Sequence, residues 1–232
     1  MSIIRNLFNS SVGKKYIMAI SGGFLLLFVL GHMVGNLQIF MGKETLNRYA
    51  HFLQSNKEIL WPVRIFLFIM LVLHIWTSAR LWFENHAARP IQYQGGYEPM
   101  ASTFASRNMM LLGIIAGCFL TYHILHYTVQ TPEVNLLGKD FSSPEFKIHN
   151  ERDVYKMMIT GFSHPIVSLF YIIGVGALCF HLSHGAHSMF QSLGLNNHYY
   201  RAILEKAATI FAIILFIGYV SIPVSVFLGL IK

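Results

Sequence analysis

Charge is what this sequence has least of. Of its 232 residues only 12% are Asp, Glu, Lys or Arg while 54% are hydrophobic, too few polar groups to clothe a water-soluble globule of this size. Cysteine is scarce as well. The two in the chain, Cys118 and Cys179, fall inside long apolar runs and read as small packing residues, not as a disulfide or a thiolate metal site. Walker motifs, Rossmann glycine fingerprints and paired-cysteine metal signatures are missing, so nothing supports nucleotide binding. The formal charge of +7 is scattered over short loops and helix ends. That distribution argues against a nucleic-acid partner and for contact with anionic lipid headgroups and soluble proteins.

What the sequence does have is five apolar stretches of spanning length. A transmembrane helix takes roughly 20 apolar residues, because about 30 Å of hydrocarbon is crossed at about 1.5 Å per residue. The stretches run from about 16 to 40, 60 to 83, 108 to 129, 159 to 184 and 207 to 231. The fold expected is therefore all-α, one membrane domain over 1–232 made of five transmembrane helices. The first stretch reads as a helix of the mature protein: it is long for a secretory signal, no small-residue cleavage site follows it, and it contains His32.

The connections are short. Residues Ser2 to Lys15 carry Arg5, Lys14 and Lys15 and no acid, which suits an amphipathic lead-in at the membrane surface. The loop at about 42–59 mixes Lys43, Glu44, Arg48, Lys57 and Glu58 with aromatics and predicts a short surface helix, after which Trp61-Pro62 marks the return to the membrane. Arg89-Pro90, Gly95-Gly96 and Glu98-Pro99 are turn signals in the second loop. The third, at about 131–153, holds five of the ten acids. Lys and Arg divide almost equally between the two sides, so the positive-inside rule does not decide the orientation. The purely basic lead-in favours an inside N-terminus.

The polar residues inside the spans are chiefly histidines: His32 on the first, His74 on the second, His123 and His126 on the third, and His164, His181 and His184 on the fourth. Each is costly in hydrocarbon and asks for a partner. One alone would read as a hydrogen bond between helices; one on each of four successive helices asks for more. Bis-histidine heme needs two imidazoles at one depth on different helices. His32 and His123 each lie roughly 15 residues, or about 22 Å, into parallel helices. His74 and His181 lie in the later halves of the two helices that run the other way. Two hemes stacked across the membrane follow, the inner one on His74 and His181 and the outer on His32 and His123. His126 is nearly one turn beyond His123 and could ligate in its place. His184 and His187 approach the aqueous boundary. Small residues near these positions, Gly22, Gly23, Gly31, Gly35, Gly113 and Gly117, leave room for a flat macrocycle, or for close helix packing.

The run Gly13-Lys14-Lys15 through Met18-Ala19-Ile20-Ser21-Gly22, the element His32-Met33-Val34-Gly35-Asn36-Leu37, His74, His123, and His181-Leu182-Ser183-His184-Gly185 leading to Ser192-Leu193-Gly194 together resemble one family. It is the single-subunit diheme cytochrome b anchor of succinate:menaquinone oxidoreductase and fumarate reductase. The resemblance spans the chain in order. It implies one heme b ligand from each of helices one to four, hence His32, His74, His123 and His181. It further implies a bacterial inner membrane location with the N-terminus in the cytoplasm, a flavoprotein subunit carrying FAD, an iron-sulfur subunit docked on the inner face, and menaquinone as electron acceptor or donor. The succinate-oxidising site would lie on another subunit.

Anionic heme propionates want cationic or hydroxyl partners; Ser21, Arg80 and His184 are the candidates near the inner heme and His164 near the outer. Glu58, with Trp61 and Arg64, is the candidate quinone site. Two rival readings remain: a cytochrome b anchor of a formate dehydrogenase or hydrogenase, and a transporter that uses the histidines as a proton relay without heme.

Overall fold

In the computed structural model, which describes residues 3–88 and 103–232, the chain is almost entirely helical. Its helices are α1 (Ile3–Asn9), α2 (Ser11–Asn36), α3 (Lys43–Ser55), α4 (Lys57–Ala87), α5 (Phe104–Arg107), α6 (Met109–His123), α7 (Val154–Phe162), α8 (Pro165–Ser192) and α9 (Arg201–Phe227), with a two-stranded ribbon between α6 and α7. Five of them, α2, α4, α6 with the turn after it, α8 and α9, are long and apolar enough to cross a membrane. The expected turns at Arg89-Pro90, Gly95-Gly96 and Glu98-Pro99 lie outside the described residues.

The helix ends differ from expectation where local chemistry overrides hydropathy. The side chain of Ser10 accepts from the Gly13 amide at 3.0 Å and so starts α2 at Ser11. Gly13 to Lys15 thus belong to the long helix, and the lead-in shrinks to α1. Glycine is required at position 13, because a Cβ there would collide with the Leu7 carbonyl. The expected span at 159–184 is two helices. Pro165 has no N–H to donate and forces His164 into an extended conformation (φ −90°, ψ 125°). Ile159 to Phe162 therefore finish α7, and α8 continues to Ser192, three turns past Cys179 and two past His184. The fifth span likewise begins earlier, at Arg201, and ends at Phe227. The surface helix predicted in the first loop is present as α3.

Four long helices make a ring. α4 packs on α2, α2 on α8, and α8 on α6, whereas α4 and α6 make at most marginal contact and leave a cleft. Neighbours run antiparallel: Lys14 pairs with Glu84 and Phe24 with Phe66 across α2–α4, and Phe119 packs on Gly174 across α6–α8. α9 backs the ring from behind α8, burying Leu215 among Met33, Val175 and Cys179. Outward faces are apolar; Val63, Phe66, Ile69 and Val72 of α4 are all exposed, a surface suited to lipid.

One end of the ring is capped by α3, α7, the 3-10 turn Leu37–Met41 and the ribbon Lys147–Ile148/Glu151–Arg152. His149 and Asn150 both have positive φ, as a two-residue hairpin of this hand requires. Ile39, Leu46, Tyr155, Met158 and Ile222 form the apolar core of this cap. Its polar clamp is Asp153. That buried carboxylate accepts from Asn47 Nδ2 at 2.8 Å and from the Lys156 amide at 3.0 Å, and it pairs with Lys43 at 2.8 Å. Burial alone would raise the Asp153 carboxyl, but these donors and the Lys43 charge outweigh it and hold it below its ordinary value. A lowered folded-state value means that the clamp contributes fully above the carboxylate range and is lost as pH falls through that lowered value. Asp153→Ala is expected to destabilise the purified protein by about 2 kcal/mol near neutral pH. The difference from the unsubstituted chain should vanish in acid, and detergent-phase unfolding followed against pH checks both statements.

Candidate functional site

The ring of helices sets two imidazole pairs on its two diagonals. His74 on α4 faces His181 on α8, with ring centroids 6.2 Å apart and planes at 77°. His32 on α2 faces His123 on α6 at 5.7 Å and 76°. Neither α4 and α8 nor α2 and α6 are packed on each other as neighbours, so each pair reaches across the interior.

The spacing between pairs is the same on three helices. Gly22 lies against His74 and Gly113 against His181, while Tyr171 lies beside His123. Ten residues separate Gly22 from His32, Gly113 from His123, and Tyr171 from His181. At about 1.5 Å per residue the pairs are about 15 Å apart along the ring axis. The His74–His181 pair is toward the start of α2, and the His32–His123 pair is toward the cap.

Hydrogen bonding orients the rings. His74 Nδ1 lies 3.2 Å from the Met18 carbonyl. A carbonyl only accepts, so the proton is on Nδ1 and the lone pair is on Nε2, the arrangement of a metal-ligating histidine. His123 Nδ1 lies 3.4 Å from the Tyr171 hydroxyl. His181 Nδ1 is buried without a hydrogen bond of good geometry, although the Met109 carbonyl faces it. His126 takes no part in either pair. It is buried, stacks on Phe141 at 5.2 Å and has its Nδ1 3.1 Å from the Tyr171 hydroxyl, so of the two candidates on this helix it is His123 that faces His32.

What these pairs can hold follows from their donors. Among the described residues no three His, Cys, Asp or Glu side chains converge to hold a bare metal ion. Two imidazoles suffice only for a metal that brings its other ligands with it, as heme iron does. With metal–imidazole bonds of about 2 Å and ring centres roughly 1 Å behind each nitrogen, two axial imidazoles would have centroids about 6 Å apart, which matches both pairs. Room exists on the α6 side, where a Cβ at Gly117 would meet nothing within 4 Å. The donor set, the separation and the open cleft fit heme.

The other candidates are less uniformly placed. The Ser21 hydroxyl is buried and donates to the Ile17 carbonyl at 2.6 Å, so its proton is committed within α2. Arg80 is exposed and turns to Glu84 at 3.5 Å. His184 Nε2 and the Ser188 hydroxyl are 3.0 Å apart, and the buried His187 meets Asn196, in the turn after α8, at 3.1 Å. His164 precedes Tyr171 by seven residues, about 10 Å beyond the His32–His123 pair, with its Nδ1 buried and without a hydrogen bond. Glu58 is exposed, whereas Arg64 sits over the Trp61 ring at 5.4 Å.

Arg64 gains significance from depth. It precedes His74 by ten residues on the inward stripe of α4, which puts it level with the His32–His123 pair. Arg152, beyond the span, donates to the Thr128 carbonyl at 3.1 Å; burial and the nearby Arg64 charge hold it below its ordinary value. No carboxylate pairs with either guanidinium among the described residues, so this end of the cleft favours an anion. Beside it opens a cavity of about 590 Å³ lined by His51, Lys57, Gln130, Glu151 and Arg152. Sequence reasoning missed Arg152 and Tyr171 because each lies far along the chain from the group it meets; the ten-residue spacing was the only signal available for Tyr171.

No protein-family model, curated protein or solved structure matches this chain.

The close fit of Gly22 against His74 gives a direct check. A Cβ on Gly22 would lie 3.0 Å from His74 Cε1, so Gly22→Val should cost about 1–3 kcal/mol of stability. Gly117→Ala, which meets nothing, should be neutral or stabilising by up to ~1 kcal/mol. Unfolding in detergent compares them, and equal effects would contradict the packing described.

Proposed function

We propose that the chain is a diheme cytochrome b, the membrane anchor of a succinate:quinone oxidoreductase, which passes electrons between an iron-sulfur subunit and menaquinone. The observation that carries the heme reading is the pair of imidazole couples, each near 6 Å, on the two diagonals of one helix ring. The dehydrogenase reading rests on the resemblance in residues 13–22, 32–37 and 181–194. On that reading the N-terminus faces the bacterial cytoplasm, and a flavoprotein and an iron-sulfur subunit dock at the inner face.

When bound, heme iron supplies reversible one-electron chemistry. This chain's residues supply the rest. His74 with His181 and His32 with His123 would each hold one heme, and two protein imidazoles per iron would suit electron transfer over ligand activation. The Met18 carbonyl fixes the His74 tautomer and raises its basicity. Arg64 and Arg152 favour carboxylates at the outer site, and the cleft near Trp61 and Arg64 offers a quinone its polar edge.

Purification with accompanying subunits, followed by reduced-minus-oxidised visible spectra, tests the proposal. Two low-spin b-type centres per chain are expected, both reducible by succinate. His74→Ala or His181→Ala should remove one centre, His32→Ala or His123→Ala the other, and His126→Ala neither. Reduction by formate or hydrogen in place of succinate would point to another dehydrogenase. A colourless preparation would overturn the heme reading.

A further inference from the structure

Tyr171 is a buried hydroxyl that the electron path described above does not use. It is 5% exposed, packed by Phe119 at 5.3 Å and Phe162 at 5.1 Å. Its oxygen lies between two imidazoles, 3.4 Å from His123 Nδ1 and 3.1 Å from His126 Nδ1. His126 stands on the π-helical turn Ile124–Val129, a local widening that is frequent at functional sites.

A phenol has one proton to give, so it cannot donate to both rings. If His123 binds iron through Nε2, as the proposed function requires, its Nδ1 must carry the proton and donate to the Tyr171 oxygen. The Tyr171 proton then goes to His126 Nδ1, which leaves His126 protonated on Nε2. That nitrogen is buried and has no hydrogen-bond partner of good geometry; the Asn135 side chain is the polar group that approaches it. The chain of donors thus has a single direction, from His123 through Tyr171 to His126. An acceptor that itself donates onward is the stronger acceptor, and a hydrogen bond from the far nitrogen raises an axial imidazole's basicity. The inner pair has no counterpart: His74 donates to a carbonyl.

We infer that Tyr171, backed by His126, is a positioning residue that fixes the His123 ring and lowers the reduction potential of the outer centre selectively. This rests on the proposed function, and the test separates the two. Tyr171→Phe keeps the ring and its packing while deleting the hydroxyl. In a potentiometric titration of the purified complex, with both centres followed spectroscopically, the outer centre should become about tenfold easier to reduce, a rise of about 59 mV for a one-electron couple. The inner centre should stay where it was. His126→Phe, which keeps the stack on Phe141, should shift the outer centre the same way by less and serves if Tyr171→Phe does not assemble. Two centres that titrate unchanged in both variants, or that shift together, overturn this inference and leave the proposed function standing. The absence of two centres in the unsubstituted protein would instead sink the proposed function.

Discussion

An imidazole in hydrocarbon must find a partner for each nitrogen, and four of them on four helices dictate how this bundle closes. Were α4 and α6 packed tightly on each other, the interior would shrink and the rings would have to turn outward to lipid. Instead α2, α4, α6 and α8 form an open ring whose diagonals are bridged by His32–His123 and His74–His181. The other features serve that opening. Glycines stand where rings press against backbone, at Gly22 and Gly113. α9 supplies, against Met33, Val175 and Cys179, the apolar burial that the open side of the ring forgoes. The cap, clamped by Asp153, holds the far ends of α2 and α8 together.

The two ends of the interior are not equivalent. At the end where α2 begins, the buried Lys14 pairs with the half-buried Glu84, so cation and anion offset each other. At the capped end, Arg64 and Arg152 have no carboxylate paired with them among the described residues and a polar cavity opens beside Arg152, while Tyr171 and His126 add hydrogen bonding around His123. Cationic and hydrogen-bonding groups thus gather around His123 at the capped end. At the other end the exposed Arg80 also turns to Glu84, beside a smaller cavity of about 270 Å³.

The spans and the pairing of His32 with His123 and His74 with His181 could be read from hydropathy and from depth along helices of alternating direction, because both follow from a fixed rise per residue. What the sequence obscured was local. Hydropathy runs straight through Ile159–Phe162 into the fourth span, yet Pro165 splits them, a signal that was visible and outweighed by the apolar run. His123 and His126 are three residues apart; distance from the helix end favours His123 in the sequence, and it is the His123 ring that faces His32. Ser21 and Arg80 sit at suitable depths, but their protons go to Ile17 and Glu84, which sequence spacing does not reveal. Arg152 meets the Arg64 end of the cleft through a hairpin, a contact that no periodicity encodes.

The central claim, that two imidazole pairs each hold one iron, makes a demand on ring geometry as well as on ligand identity. Planes at 76° and 77° are nearly perpendicular, and crossed axial imidazoles on low-spin ferric iron give a strongly anisotropic paramagnetic resonance signal, unlike the rhombic signal of parallel rings. The decisive measurement is therefore low-temperature electron paramagnetic resonance of the oxidised protein. Two strongly anisotropic low-spin signals, each integrating to one spin per chain, are predicted; a high-spin signal, a rhombic pair, or no heme signal would contradict the account.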